Sequence, residues 1–236
     1  MKKLVLWLIP LLVYGLGAKA QISTSYLWHL HQPTYWGDVS KKNPNRYQMV
    51  KESQDLKTSG ANNDKNGLAH PTNNLVEIFS TGDRVAAYQF APKNAISSIA
   101  DLPKAGAQIT YGGSLMENVQ ELAQANQWGY STSWTQNIKD AKGWKTSGGF
   151  PRMEVVSFTM HHALSPLLSD EALTKEIKAH QYYSAQLFGT HDSKGYWPAE
   201  CAFSERIIKT LKECGIEWSV IANSHLSRTL SDYPLK

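Results

Sequence analysis

Short apolar or aromatic segments alternate with helical stretches along this chain, and the polar residues of chemical interest fall just after the segments. Residues 26–31, 108–111, 155–160, 196–200 and 217–222 read as strands, from their aromatic and β-branched content and the turn residues around them. Between them lie four helical readings. Residues 74–79 form a short one, and Ser114 with Glu117 makes a capping box for a second that runs to about residue 125. Ser169-Asp170 opens a third, whose Leu173, Ile177, Ser184 and Leu187 keep helical spacing up to Gly189. Ser204 opens the fourth, with Ile207, Ile208 and Leu211 inward and Gly215 as its stop. Such alternation implies β/α units around a parallel sheet, an α/β fold whose working residues gather at strand C-termini. Two stretches are read as lacking an element: a polar excursion over 37–66 and a long, Trp-containing surface loop over 127–150.

The first twenty residues are set apart. Lys2 and Lys3 precede an apolar run from Leu4 to Leu16, and Ala18-Lys19-Ala20 offers a small-x-small cleavage site before Gln21. That is the layout of a secretory signal peptide, which predicts a periplasmic or secreted protein. The run falls short of the roughly 20 residues that span a bilayer, so no membrane association is expected once it is cleaved. Residues 21–236 are then one domain. Cleavage removes three of the 24 basic residues and leaves the rest nearly balanced by 20 acidic ones. No basic stripe remains of the kind that nucleic-acid binding needs.

Eight Trp and eleven Tyr are many for this length. Rings of this kind stack on the apolar faces of pyranoses, and they also suit ordinary core packing. The two cysteines, Cys201 and Cys214, flank the helix read over 204–213. A helix of that length holds its ends roughly 15 Å apart, beyond the ~7 Å that a disulfide tolerates. Both thiols are expected to be free.

His29 and His31 share one face of the first strand, with Gln32 directly after them. They suit recognition of sugar hydroxyls, a structural role, or metal binding. Two histidines alone are a weak metal signal, because a catalytic zinc takes three protein ligands and an open position. His161 and His162 follow the third strand; one is expected to face the pocket, with His162 favoured, and the other to pack below it. Glu200 ends an apolar segment beside Trp197, where a charge is costly unless used or paired. It suits nucleophilic attack on an anomeric carbon or general acid work, or simply the N-terminal dipole of the next helix. Asp192 and Glu205 read as ordinary solvated residues.

Three of these segments resemble the signatures of glycoside hydrolase family 57. His31-Gln32-Pro33 resembles the family's first conserved region, residues 154–168 are similar to its second, and Trp197-Pro198-Ala199-Glu200 resembles its third. The resemblance implies the N-terminal portion of an incomplete parallel (β/α)7 barrel. It also implies retaining hydrolysis or transfer on α-glucans, Glu200 as nucleophile, and no required cofactor or metal. His29, His31, Gln32 and His162 would hold sugar hydroxyls, while Trp28, Trp36 or Trp197 would stack on rings. The family's acid/base aspartate lies in a fourth region that does not occur before Lys236, and five strands are read where the barrel has seven. The chain is therefore expected to be the front part of a longer protein or a truncated remnant, inactive by itself. The alternatives are a non-catalytic glycan-binding or vestigial protein, and a metal-dependent polysaccharide deacetylase. The latter would want an Asp-Asp pair or H-x-x-x-H, and the chain has neither.

Overall fold

The computed structural model describes residues 25–61, 69 and 72–229; the expected signal peptide over 1–20 lies outside them. In chain order the elements are β1 (Leu27–Leu30), α1 (Val50–Thr58), α2 (Leu75–Ser80), α3 (Gly82–Gln89), α4 (Ala91–Ser98) and β2 (Ala107–Tyr111). Then come α5 (Gly113–Gln124), α6 (Trp134–Gly143), β3 (Met153–Val155), α7 (Asp170–Phe188), β4 (Gly195–Tyr196), α8 (Ile208–Glu213), β5 (Trp218–Ser219) and α9 (Asn223–Thr229). β1, β2 and β3 pair in parallel in that order, and β4 pairs with β5, also in parallel. A parallel bridge from Ser157 to Tyr196 joins the two sets. All five strands thus run in sequence order, with helices as crossovers, which is the β/α arrangement expected.

β2 is central, and its Ile109, Thr110 and Tyr111 are wholly buried, as a strand covered on both faces must be. One apolar cluster joins β2 and β3 to α5 and α6 through Tyr111, Leu115, Val119, Trp134 and Ile138. A second lies between α7 and α8, around Leu173, Ile177, Tyr196, Ile207 and Leu211. Each such side chain stabilises the fold by roughly 1.5–3 kcal/mol on burial.

Several sequence expectations are corrected. The polar excursion holds a helix, α1: Asn118 Oδ1 accepts from Val50 N at 2.7 Å, and Glu52 accepts from Ser40 Oγ at 2.6 Å and Lys41 N at 2.7 Å. These partners are long-range and leave little periodic trace. The surface loop over 127–150 contains α6, whose Trp134, Ile138 and Ala141 keep i, i+4, i+7 spacing and are wholly buried. Here a helical period lay beneath a Gly- and Ser-rich composition. α3 and α4 lie outside every segment with a helical signal in the sequence.

The capping box does not form. Ser114 Oγ donates to the carbonyl of Gln32 at 2.6 Å and Glu117 accepts from the Tyr47 hydroxyl, while Gly112 occupies the N-cap. The third strand stops at Val155, because Ser157 already turns to Gly195, whose carbonyl accepts from Ser157 N at 3.0 Å. The fourth is two residues long, and residues 199–201 form a 3-10 turn instead of continuing it. Ile208 is half exposed, since the inward face of α8 falls on Ile207 and Leu211. α7 keeps its expected bounds: Ser169 Oγ accepts from Ala172 N at 3.2 Å, and Gly189 ends the helix at φ 85°. Both cysteines are free, as expected.

Candidate functional site

β1 carries His29 beside Thr110 of β2, and the His29 Nδ1 lies 2.7 Å from the Thr110 hydroxyl. His31 follows just after the strand, its ring stacked on His29 at 5.8 Å between centroids and 12° between planes. From the end of the third segment His162 reaches over both, with ring centroids 5.3 Å from His29 and 4.0 Å from His31. Trp197, just past β4, closes on His29 at 4.1 Å and stacks on Phe158 at 5.3 Å and 18°. Glu200 stands at the rim with its side chain 70 % exposed, and its Oε1 is 3.5 Å from His162 Nε2. The strand ends therefore bring His29, His31, His162, Trp197 and Glu200 together from positions spread over most of the chain.

Glycine makes the approach possible. A Cβ on Gly112 would stand 2.5 Å from His31 Nδ1, and one on Gly113 would stand 2.2 Å from Met160 Sδ and 2.3 Å from the Met160 carbonyl. Below the ring cluster, His180 is fully buried and ties two strand ends: its Nε2 donates to the Tyr111 carbonyl at 2.8 Å and its Nδ1 accepts from Phe158 N at 3.3 Å.

Burial drives the electrostatics. Loss of water pushes His29 down to about 3, with the charges of His162 and His31 acting in the same direction. His31 falls to about 4 from burial and from His162. Both rings are thus neutral near pH 7 and can donate and accept hydrogen bonds. The nitrogen ligand atoms of His29, His31 and His162 all lie within 4.8 Å of one another, which makes them, among the described residues, the group able to hold a metal ion.

Four expectations for the site residues are corrected. Gln32 is buried and its side chain is committed internally, donating to the Tyr88 hydroxyl at 2.7 Å and accepting from the Tyr35 hydroxyl at 2.6 Å. Trp36 is 2 % exposed and packed away from any sugar. Glu200 is not a charge in an apolar place; it stands in the 3-10 turn at φ 56° and faces solvent. His161 does not pack below the pocket, because it lies on the surface with its Nδ1 2.8 Å from Glu176 Oε1. His162 is the histidine of the pair that joins His29 and His31. Sequence reasoning missed Thr110 and Phe158, and also Asp83 and Arg84, which line a recess of about 370 Å³ next to His29 and His31. Their contact with the strand ends depends on the packing of α3, which had no sequence signal beyond local propensity.

Comparison with known proteins bears on the same region. Residues 25–233 match the model of glycosyl hydrolase family 57. The chain is 34% identical to an alpha-amylase of Niallia circulans over 92% of its own length, and it spans 18% of that relative. Its fold is similar to that of a 4-alpha-glucanotransferase from Thermococcus litoralis, at a TM-score of 0.51 and 15% identity, over 86% of this chain and 23% of the other. A branching enzyme from Pyrococcus horikoshii matches at a TM-score of 0.48 and 14% identity, over 86% of this chain and 42% of the other.

Proposed function

Because the chain belongs to glycosyl hydrolase family 57, we propose that it supplies the nucleophile side of an active site that cleaves α-glucans with retention. The fold is the front part of the (β/α)7 barrel, with parallel strands in sequence order. The observation that carries the reading is Glu200 itself. It is an exposed carboxylate at the strand ends, 3.5 Å from His162 and beside two neutral histidines and a stacked tryptophan.

In this reading Glu200 attacks the anomeric carbon and forms a covalent glycosyl-enzyme. A second carboxylate, about 5–5.5 Å away, protonates the leaving oxygen and then takes a proton from water or from an acceptor sugar. That acid belongs to the family's fourth region, downstream of the three motifs found here. His29, His31 and His162 meet sugar hydroxyls, because each imidazole presents ring nitrogens that hydrogen-bond. Trp197 offers a ring to the sugar face. Gln32 and Trp36 serve the scaffold, holding the loop after β1. Hydrolysis and glucan transfer share the first half of this chemistry and differ in which acceptor reaches the intermediate. The leader-like residues 1–20 support a periplasmic or secreted location, which N-terminal sequencing of the native protein would test by finding Gln21 first.

The catalytic test is Glu200→Gln in the protein as its source makes it. Turnover of α-glucan should fall by about 10³-fold or more, with an unchanged circular dichroism spectrum. A variant that keeps full activity would end the nucleophile assignment.

A further inference from the structure

We propose that His29, His31 and His162 form a binding site for one divalent transition-metal ion of the imidazole-preferring class, Zn²⁺ foremost. Geometry is the first ground. The three ligand atoms lie within 4.8 Å of one another. Around a tetrahedral ion with Zn–N bonds of about 2.0–2.1 Å, neighbouring ligand atoms are roughly 3.4 Å apart. Closing the triad on an ion therefore brings ligand atoms at most about 1.4 Å nearer to one another.

A second, independent ground is the state of His29. Its Nδ1 is held by the Thr110 hydroxyl at 2.7 Å, while its Nε2 is buried and has no hydrogen-bond partner. A buried polar atom without a partner costs about 1–3 kcal/mol, and a metal bond to Nε2 would remove that cost. The Nδ1 contact is also the arrangement that metal-binding histidines use, where an outer partner fixes the ring and its tautomer. Thr110 is wholly buried on the central strand, so this outer partner is rigid.

Charge is the third ground. Imidazole ligands bring no negative charge, so an ion's two positive charges stay unbalanced, and the Glu200 carboxylate stands 3.5 Å from His162 Nε2 on the solvent side. It can take the fourth position or face the open one, which is the three-ligand layout of a site that exchanges its remaining ligand. The inference stands on the triad and does not depend on Glu200 being a nucleophile. If Glu200 is one, the ion occupies the place of the sugar hydroxyls and engages the nucleophile, so metal and sugar exclude each other.

The test is equilibrium dialysis of the metal-stripped full chain against Zn²⁺ alone, with Co²⁺ as a spectroscopic substitute. Wild-type protein should bind one equivalent of Zn²⁺ and give Co²⁺ the intense visible bands of a tetrahedral, nitrogen-rich site. His29→Ala and His162→Ala should each weaken binding at least tenfold. Thr110→Val should weaken it by roughly tenfold without changing the stoichiometry, and His161→Ala should bind as wild type. Sub-stoichiometric Zn²⁺ together with an octahedral Co²⁺ spectrum in the wild-type protein would overturn the proposal, and that result needs no variant to fold. Binding that survives both His29→Ala and His162→Ala would overturn it as well. Loss of α-glucan turnover in Glu200→Gln with Zn²⁺ still bound would separate this site from the catalytic reading.

Discussion

His162 and Glu200 face each other at 3.5 Å, and both stand in left-handed backbone, at φ 59° and 56°. For residues other than glycine that conformation costs roughly 1–2 kcal/mol each. Cys201 follows at φ 54°, so the turn that presents the carboxylate is strained over two successive residues. Strain of this sort persists where surrounding structure over-determines it, and it concentrates at sites that bind or react.

Replacing Glu200 by glycine should therefore stabilise the protein while removing the proposed nucleophile. Relief of the left-handed strain exceeds the entropy glycine adds to the unfolded chain, for a net gain of about 0.5–1 kcal/mol. Glu200→Ala removes the same carboxylate and keeps the strain, so it should melt near wild type. Thermal melts of the three proteins decide the matter, and a glycine variant that melts lowest would show the turn to be unstrained.

Two neighbouring glycines should respond differently to alanine. At Gly112 the new methyl meets an imidazole, His31 Nδ1 at 2.5 Å, which can swing. At Gly113 it meets the Met160 carbonyl at 2.3 Å, which cannot. Gly113→Ala should cost at least about 2 kcal/mol, in the range of overpacked cores. Gly112→Ala should cost less than half of that and lower activity through the displaced His31. Urea titration paired with an activity assay checks both, and equal destabilisation at the two positions would contradict the reasoning.

Stability should fall as the solution becomes acidic through the histidine range. Burial pushes His29 down to about 3, and His31, His180 and His191 down to about 4, below their ordinary 6.5. In the unfolded chain these groups take up protons near pH 6.5, while the folded protein refuses them until far lower. Their contribution is therefore whole above pH 6.5 and is lost as pH falls toward 4 and 3. His161 works in the opposite sense, because its hydrogen bond to Glu176 raises it, and its contribution fades as pH climbs past that raised value. Melting temperature followed from pH 8 to pH 4 should drop steeply below 6.5. His161→Ala should remove only the alkaline decline.

Arg152 is a buried cation that carbonyls satisfy. Its guanidinium donates to the carbonyls of Lys145, Ile99, Leu102, Ala105 and Ala100, at 2.9–3.2 Å, pinning the turn after α4 to the start of β3. Removing it takes away hydrogen bonds from a charged donor, each worth about 1.5–3 kcal/mol, although the Ile99 and Leu102 carbonyls keep backbone donors in Leu102 N and Ala105 N. Arg152→Ala should destabilise by about 3 kcal/mol or more, and Arg152→Lys by somewhat less, with Zn²⁺ binding at the opposite end of the sheet unchanged. A loss below about 1 kcal/mol would mean that water replaces the guanidinium at little cost.

The sequence made some of this legible and hid the rest for identifiable reasons. α7 was readable because its cap, its apolar period and its terminal glycine are all local. His29 and His31 were readable because two-residue spacing on a strand places both on one face. The burial of Gln32 was not, because its partner Tyr88 is 56 positions away on a helix with no strong pattern. The burial of Trp36 is equally hidden, since an aromatic ring in a polar stretch looks available until its neighbours are known. The site's geometry depends on left-handed backbone at His162, Glu200 and Cys201, and Glu and Cys are not residue types that announce it, as glycine or asparagine would.

The pairing of β1 also dictates when the site can exist during synthesis. His29 meets Thr110 across 81 positions, and Trp197 arrives later still. At roughly 5–20 residues per second on the ribosome, β1 waits about 4–16 s for its first hydrogen-bonding partner. A nascent strand left so long invites intermolecular pairing unless polar residues interrupt its apolar character. His29 and His31 are the polar interruptions at this segment, so replacing them with aliphatic residues should appear first as insoluble protein in the expressing cell.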